Sequence, residues 1–102
     1  MPRNKSTAEL ARLRRRMDRL NARIAAAIQA RAGLVREIAG VKSALGLPAA
    51  DPRREREMMR EVLAHAPAGF ERAALERVLR ELFRASRALA VAIAREQDKR
   101  RR

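Results

Sequence analysis

The chain has 102 residues, with 25 lysines and arginines against 12 aspartates and glutamates, and therefore a formal net charge of +13. It contains no cysteine, tryptophan or tyrosine and two phenylalanines. This length supports one small domain, and the lack of cysteine excludes disulfides and cysteine-bound zinc. We predict neither a membrane-spanning helix nor secretion, because no apolar run approaches roughly 18 residues and the first residues are polar. The expected location is the cytoplasm.

The excess of positive charge has three interpretations. Arginine supplies nearly all of it, since lysine occurs only at Lys5, Lys42 and Lys99, and this bias, together with the many alanines, is typical of a GC-rich genome. Alternatively, the cations could bind the phosphates of a nucleic acid. A few arginines could instead converge on a small anion, whose carboxylates fit the planar guanidinium group. The positions of the cations along the helices must decide.

The first half of the chain predicts one long helix over about residues 7–45. Ser6 and Glu9 have the spacing of a capping box before it, and the pattern stops at Gly46. Its apolar stripe consists of Leu10, Leu13, Met17, Leu20, Ile24, Ala27, Ile28, Leu34, Ile38, Val41 and Leu45. Such a helix is about 58 Å long, whereas a compact chain of this size has a radius of gyration of about 13 Å. We therefore predict that a second copy of the chain covers part of the stripe.

Two shorter helices are predicted in the second half. Asp51 as N-cap and Pro52 in the first turn indicate a helix over about residues 52–65. A third helix is predicted over about residues 70–97, followed by a basic tail at 98–102 that we expect to fray. No strand pattern occurs, so the expected fold is all-α, with three helices in a single domain over residues 1–102.

Several charged or polar residues occupy helix positions where the pattern calls for apolar ones. Arg31 lies within the first stripe, and Lys42 shares its face about 16 Å further on. Glu55 and Ser86 lie on the stripes of the second and third helices. Each has an ordinary structural explanation, since Arg31 could pair with Glu55 and Ser86 could bond to the preceding turn. Together they point to a pocket for a dianion.

Two further residues have the chemistry of site residues but less favourable positions. Arg14 is rotated by roughly 100° from Arg31 on the helix, so it faces a different site or the site of another chain. His65, the single histidine, lies near a helix end without a second metal ligand beside it, so no metal site is predicted.

Four segments of the chain resemble the all-helical chorismate mutase family, the AroQ class. They are DRLN at 18–21, DPRRERE at 51–57, GFE at 69–71 and LRELFRAS at 79–86. The spacing of Arg14, Arg31 and Lys42 also fits the family pattern, and the resemblance covers about residues 8–92. The segments are most similar to mutase domains fused ahead of some DAHP synthases. For this chain we expect the free-standing form.

The resemblance implies an intertwined helical homodimer with two active sites, each completed by one residue of the partner subunit, and no cofactor or metal. The expected reaction converts chorismate to prephenate in the synthesis of phenylalanine and tyrosine. The implied site residues are Arg14 of the partner subunit, Arg31 and Lys42 for the two carboxylates, Lys42 also for the ether oxygen, Arg54 and Ser86 beside the carboxylate site, Glu55 and the Asp51 backbone for the ring hydroxyl, and Ile38 and Phe83 as apolar walls.

The sequence departs from the family pattern one turn after Ser86. The family usually has Gln or Glu there, which donates a hydrogen bond to the ether oxygen, whereas this chain has Ala90. Losing one such donor costs about 3 kcal/mol, or about a hundredfold in rate. Gln97 lies about 10 Å further along the helix and is a poor substitute. We predict that Arg87, on the same side as Ala90, is a catalytic residue that supplies the missing donor.

Other functions remain open at this point. The chain could be a non-catalytic or partner-dependent module that binds chorismate or prephenate and regulates a DAHP synthase, for which Ala90 is the best argument. The same scaffold serves isochorismate–pyruvate lyase, but the likeness to synthase-fused mutases disfavours that reaction. Nucleic-acid binding is the weakest alternative, because aromatic stacking residues and a recognition motif are lacking. No membrane partner is expected.

Overall fold

Over the residues that the structure describes, the chain forms three α-helices. The computed structural model describes residues 2–102, with side chains from Lys5 onwards. Helix α1 covers Pro2–Ala44, α2 covers Pro52–His65 and α3 covers Arg72–Arg101. The described residues form no strand, which confirms the all-α prediction. Over the same residues, no helix is both long and apolar enough to cross a membrane.

Helix α1 begins earlier than the sequence pattern predicted. It starts at Pro2 rather than near residue 7, so the capping-box residues Ser6 and Glu9 lie inside the helix. Proline is favoured in a first helical turn, because its fixed φ suits the helix and its missing N–H would have no intrahelical partner there. These properties of proline explain why α1 begins at Pro2 rather than at the capping box.

The end of α1 is a Schellman motif, which explains why the helix stops where the sequence predicted. The N–H of Leu47 donates to the carbonyl of Lys42 at 2.8 Å, and the N–H of Gly46 donates to that of Ser43 at 3.1 Å. Gly46 has a φ of +71°, a left-handed conformation that glycine adopts without the steric cost of a Cβ atom. The motif fixes the direction in which the chain leaves Lys42.

The prediction for α2 is confirmed, from Pro52 to His65, and α3 differs from its prediction only at its ends. Helix α3 begins at Arg72, because the first helical bond runs from the Leu75 N–H to the Glu71 carbonyl at 3.0 Å. The basic tail does not fray at residue 98, since α3 continues to Arg101. Positive side chains at a helix C-terminus interact favourably with the helix dipole, which helps the last turn to persist.

The chain divides into two compact units, the first ending at Gly33 and the second covering Leu34–Arg102. The first unit is a stretch of α1 alone. Its large apolar side chains are exposed, namely Leu10, Leu13, Met17, Leu20, Ile24 and Ile28. The second unit contains the end of α1 with α2 and α3, and its buried apolar residues are Ala39 and Phe83. Eight of the ten predicted site residues belong to this second unit.

Candidate active site

Lys42 is held at the C-terminal end of α1 by the loop that follows. Its side chain is half-buried, and its ammonium Nζ donates to the carbonyl of Ala49 at 3.0 Å. An ammonium group has three donors, so two N–H groups remain for a ligand. Lys42 and Asp51 line a common cavity of about 460 Å³ at the start of α2. The structure therefore brings these two predicted site residues together.

The N-terminus of α2 is capped as the sequence predicted. The Asp51 carboxylate accepts a hydrogen bond from the Arg54 N–H at 3.1 Å, and the Asp51 carbonyl accepts from the Glu55 N–H at 3.1 Å. These bonds fix the orientation of the first turn and hence of Glu55. The Arg54 guanidinium is exposed and lies 3.6 Å from the Glu57 carboxylate, so it can reorient at little cost.

An ion pair between Glu55 and Arg87 joins α2 to α3. Nη1 of Arg87 donates to Oε1 of Glu55 at 2.6 Å, across a separation of 32 residues in the chain. The Glu55 side chain is 22% exposed and that of Arg87 is 44% exposed. Both residues line a second cavity, of about 560 Å³, together with Phe83. The inward orientation predicted for Glu55 is thus observed.

The sequence did not predict the pairing of Arg87 with Glu55. It offered Arg31 as one possible structural partner of Glu55 and the ether oxygen as the target of Arg87, and both stay predictions. Helical periodicity shows which side of a helix a residue occupies, but it does not show which residue of another helix it meets. The partner of Arg87 depends on how α2 packs against α3, which the sequence pattern does not show.

The remaining predicted site residues of the second unit differ in how far they are buried. Ser86 donates from its hydroxyl to the Leu82 carbonyl at 2.9 Å, which is the bond to the preceding turn that its structural alternative predicts. Phe83 is 6% exposed and forms an apolar wall. Ile38 is 56% exposed. Ser86, Ile38 and Arg54 line neither of the two cavities.

Arg14 and Arg31 lie in the first unit of the chain. Arg14 is exposed and Arg31 is half-buried. Their assignment to the site stays a prediction.

The position of Gln97 was missed by sequence reasoning. A Cβ atom built on Gly40 would lie 3.6 Å from the Gln97 side-chain nitrogen, so this amide lies beside α1 two residues before Lys42. Ala90, where the family usually has Gln or Glu, is half-buried on α3. Glycine inside the first helix was the available signal, because it allows another side chain to approach the backbone closely.

The candidate site residues line two cavities of the second unit. Lys42 supplies a fixed cation in the 460 Å³ cavity, whereas Arg87 supplies a cation, Glu55 an acceptor and Phe83 an apolar wall in the 560 Å³ cavity. Arg56 lines both cavities. Among the residues that the structure describes, no cluster of His, Cys, Asp and Glu could hold a metal ion. Such a site is suited to binding and orienting a small anion that also carries a hydroxyl group.

Comparisons with known proteins agree on one family. The family profile described as chorismate mutase type II matches residues 13–91. A solved structure of chorismate mutase (Form II) from Thermus thermophilus is 35% identical in sequence, with a TM-score of 0.77, over 80% of this chain and 93% of that one. Form I of the same enzyme is 36% identical, with a TM-score of 0.74, over 76% of this chain and 98% of that one. No curated protein matches the chain.

Proposed function

The chain belongs to the chorismate mutase type II family, and we propose that it converts chorismate to prephenate by fixing the substrate dianion against Lys42, Glu55 and Arg87. The observation that carries these residue roles is the 2.6 Å contact of Arg87 with the half-buried Glu55 carboxylate, at a cavity walled by Phe83. It brings a cation and a hydroxyl acceptor to one place, as a hydroxylated dianion requires.

The reaction is an intramolecular Claisen rearrangement, in which a carbon–carbon bond forms while the ether C–O bond breaks. No proton has to move, so the protein needs neither a nucleophile nor a general base. It has to hold the flexible substrate in a chair-like conformation, which is catalysis by positioning. It also has to stabilise the negative charge that develops on the ether oxygen, for which a fixed donor in a partly water-excluded site is effective.

The proposed roles follow the family pattern residue by residue. Lys42 binds a carboxylate and faces the ether oxygen through the N–H groups that Ala49 does not use. Glu55 and the Asp51 backbone bind the ring hydroxyl, and Phe83 walls the ring. Arg31, Arg54, Ser86, Ile38 and Arg14 of the partner subunit complete the carboxylate sites and walls.

Arg87 takes the place of the ether-oxygen donor that Ala90 lacks. A guanidinium has five N–H donors in a planar arrangement, and Glu55 occupies one of them in the structure. Arg87 can therefore keep Glu55 in position and still direct a second N–H toward the breaking bond. A cation near the developing negative charge is a stronger donor than a neutral amide.

We also propose that the functional unit is a homodimer. Six large apolar side chains of the first unit are exposed along one stripe, each between 43% and 57%. Apolar stripes of this length are normally covered, and a second copy of the same helix is the simplest cover. Sedimentation equilibrium should therefore give about twice the chain mass.

A second candidate function is a partner-dependent mutase, regulated together with a DAHP synthase. The observation in its favour is Ala90 on α3, where the family usually has the Gln or Glu that donates to the ether oxygen. A bound protein that positioned another donor there would complete the site. If so, adding the synthase raises kcat/KM for chorismate, whereas an independent enzyme is unaffected.

The decisive experiment follows the ultraviolet absorbance of chorismate with purified chain. We expect the wild-type protein to consume chorismate and form prephenate. Lys42→Ala should lower kcat/KM by about a hundredfold or more, because it removes a charged donor at the ether oxygen. Arg77→Ala is the matched control, since Arg77 is an exposed cation of α3 that lines neither cavity. Equal rates in the two variants would contradict the proposed site.

A further inference from the structure

The first unit of the chain, which ends at Gly33, carries more than half of the net positive charge. Up to that residue the chain has nine lysines and arginines against two acidic residues, whereas the rest has 16 against 10. Of these nine cations, the proposed substrate contacts use only Arg14 and Arg31. The other cations of the first unit have no role in the proposed function.

Four of these unused cations form a row along one side of α1, which we call the basic face. They are Arg12, Arg16, Arg19 and Arg23, and all four are exposed. Steps of four, three and four residues bring side chains to the same side of an α-helix, and this row is about 16 Å long. Each arginine directly precedes a residue of the apolar stripe, so the basic face is rotated by about 100° from the stripe. A helix that covers the stripe therefore leaves the basic face open.

The basic face has no counter-charge within the described residues. None of its four guanidinium groups takes part in an ion pair or a side-chain hydrogen bond there. In the second unit, by contrast, Arg80 contacts Glu76 at 2.6 Å and Arg84 contacts Glu81 at 2.7 Å. Like charges three or four residues apart on a helix repel one another, so a bound anion with several charges would relieve this repulsion.

Three kinds of partner carry several negative charges in a row: an acidic protein, an anionic membrane and a nucleic acid. A protein interface has an apolar core, but the large apolar side chains that the first unit exposes all belong to the apolar stripe. A membrane would need that stripe inserted into lipid, whereas the proposed dimer covers it. A nucleic acid needs no apolar contact, because its phosphates bind through charge.

We propose that the basic face binds the phosphate backbone of double-stranded nucleic acid without sequence preference. A duplex presents one negative charge for about every 1.7 Å of its axis, so arginines spaced by about 4.5 to 6 Å along a helix can each meet a phosphate. The lack of tryptophan and tyrosine argues against the base stacking by which single strands are bound. Contacts with the backbone of a duplex require neither stacking nor a motif that reads bases.

The test measures the fluorescence anisotropy of a labelled DNA duplex of about 20 base pairs as the wild-type chain is added, at several KCl concentrations from about 50 to 200 mM. We expect saturable binding whose affinity falls by about a hundredfold over this range, as four phosphate contacts imply. Arg12→Gln/Arg16→Gln/Arg19→Gln/Arg23→Gln should weaken binding by about tenfold or more at the lowest salt. It should also lower the slope of log Kd against log salt by about 0.9 for each lost contact.

Two further variants separate the basic face from the net charge of the chain. Arg72→Gln/Arg77→Gln/Arg95→Gln/Arg101→Gln removes the same charge from exposed positions of α3, and it should bind the duplex nearly as the wild type does. Replacing the four arginines of the basic face by lysine keeps the charge and should retain binding, since lysine also binds phosphate. Far-ultraviolet circular dichroism checks that all variants stay helical.

Four results would overturn the proposal. They are no saturable binding at the lowest salt, equal weakening in the two glutamine variants, tighter binding of a single strand than of the duplex, and competition by poly-glutamate or by phosphatidylglycerol vesicles as strong as that by unlabelled duplex. Equal weakening would reduce the binding to net charge, and equal competition would indicate an acidic protein or a membrane. The glutamine variant of the basic face should turn over chorismate as the wild type does, so failure of this proposal is distinguishable from failure of the proposed function.

Discussion

Arg87 is the residue for which the structure adds most to the sequence. Its position on α3 marked it as an inward cation, and the structure adds its partner, the Glu55 carboxylate at 2.6 Å. Two roles are compatible with this contact. In one, Arg87 holds Glu55 in place for the substrate hydroxyl; in the other, it also acts on the ether oxygen through its unused donors. The two roles predict different kinetics.

We expect Arg87→Ala to lower kcat by about a hundredfold, because the ether oxygen loses its replacement donor. Chorismate consumption at saturating substrate measures this change. Arg87→Lys keeps the charge but not the planar group, and should recover only part of the rate. Arg77→Ala, which removes an exposed arginine of α3 that lines neither cavity, is the matched control and should leave kcat unchanged.

A double-mutant cycle with Glu55→Gln separates the two roles of Arg87. If Arg87 contributes its own donor, adding Arg87→Ala to Glu55→Gln lowers kcat further. No further loss would reduce Arg87 to a positioning residue that acts through Glu55. An unchanged rate in the single Arg87→Ala variant would rule out both roles.

At this scale, the sequence predicted which residues face inward better than it predicted what they contact. The inward orientation of Glu55 and the local bond of Ser86 follow from periodicity and from neighbours within one turn. The Arg87 contact joins residues 32 positions apart, and the Gln97 amide lies beside a glycine of another helix. Contacts between helices depend on packing geometry, which side-chain periodicity does not contain.

The candidate residues Lys42 and Glu55 lie next to the end of α1 and the start of α2. Local sequence rules account for these two helix ends. Gly46 closes α1 just after Lys42, and Asp51 opens α2 just before Glu55. Both were predictable because a Schellman glycine and an N-cap aspartate act through bonds to their own neighbours. The start of α1 and the end of α3 were predicted less well, because helix termini without a unique stop signal extend by small increments of energy.

We expect Asp51→Ala to lower the free energy of unfolding by about 1 kcal/mol, because the Arg54 N–H loses its capping acceptor. Urea denaturation at a fixed protein concentration measures the change. Asp51→Asn keeps an acceptor oxygen and should retain most of the stability. Since the proposed substrate contact of Asp51 is through its backbone, Asp51→Asn should also retain kcat. A stability of Asp51→Ala equal to that of the wild type would show that the cap contributes nothing.

For the whole molecule, the apolar stripe of α1 is the feature that a single chain does not explain. The first unit exposes six large apolar side chains, and its exposed area is the kind that a symmetric partner covers. The length of the helix, predicted from periodicity alone, leads to the same expectation. What neither observation gives is the register between two copies, because a regular stripe fits itself in more than one alignment.

Active-site complementation tests whether two copies share a site. Arg14→Ala and Lys42→Ala should each be nearly inactive, since each removes a cation from every site of a homodimer. In a mixed dimer, one site combines the intact Lys42 of one copy with the intact Arg14 of the other. Unfolding and refolding the two variants together should therefore restore about a quarter of the wild-type activity, because half of the dimers are mixed and each has one complete site.

The recovered activity has a direct control. Refolding Lys42→Ala together with Glu55→Gln should restore nothing beyond the sum of the two, because both residues belong to the second unit and are proposed to act from the same copy. If Arg14 acted within its own chain, the Arg14→Ala and Lys42→Ala mixture would behave like this control. Recovery in the first mixture alone would show that the long helix contributes Arg14 across the dimer, and that its exposed apolar stripe positions this arginine in the site of the other copy.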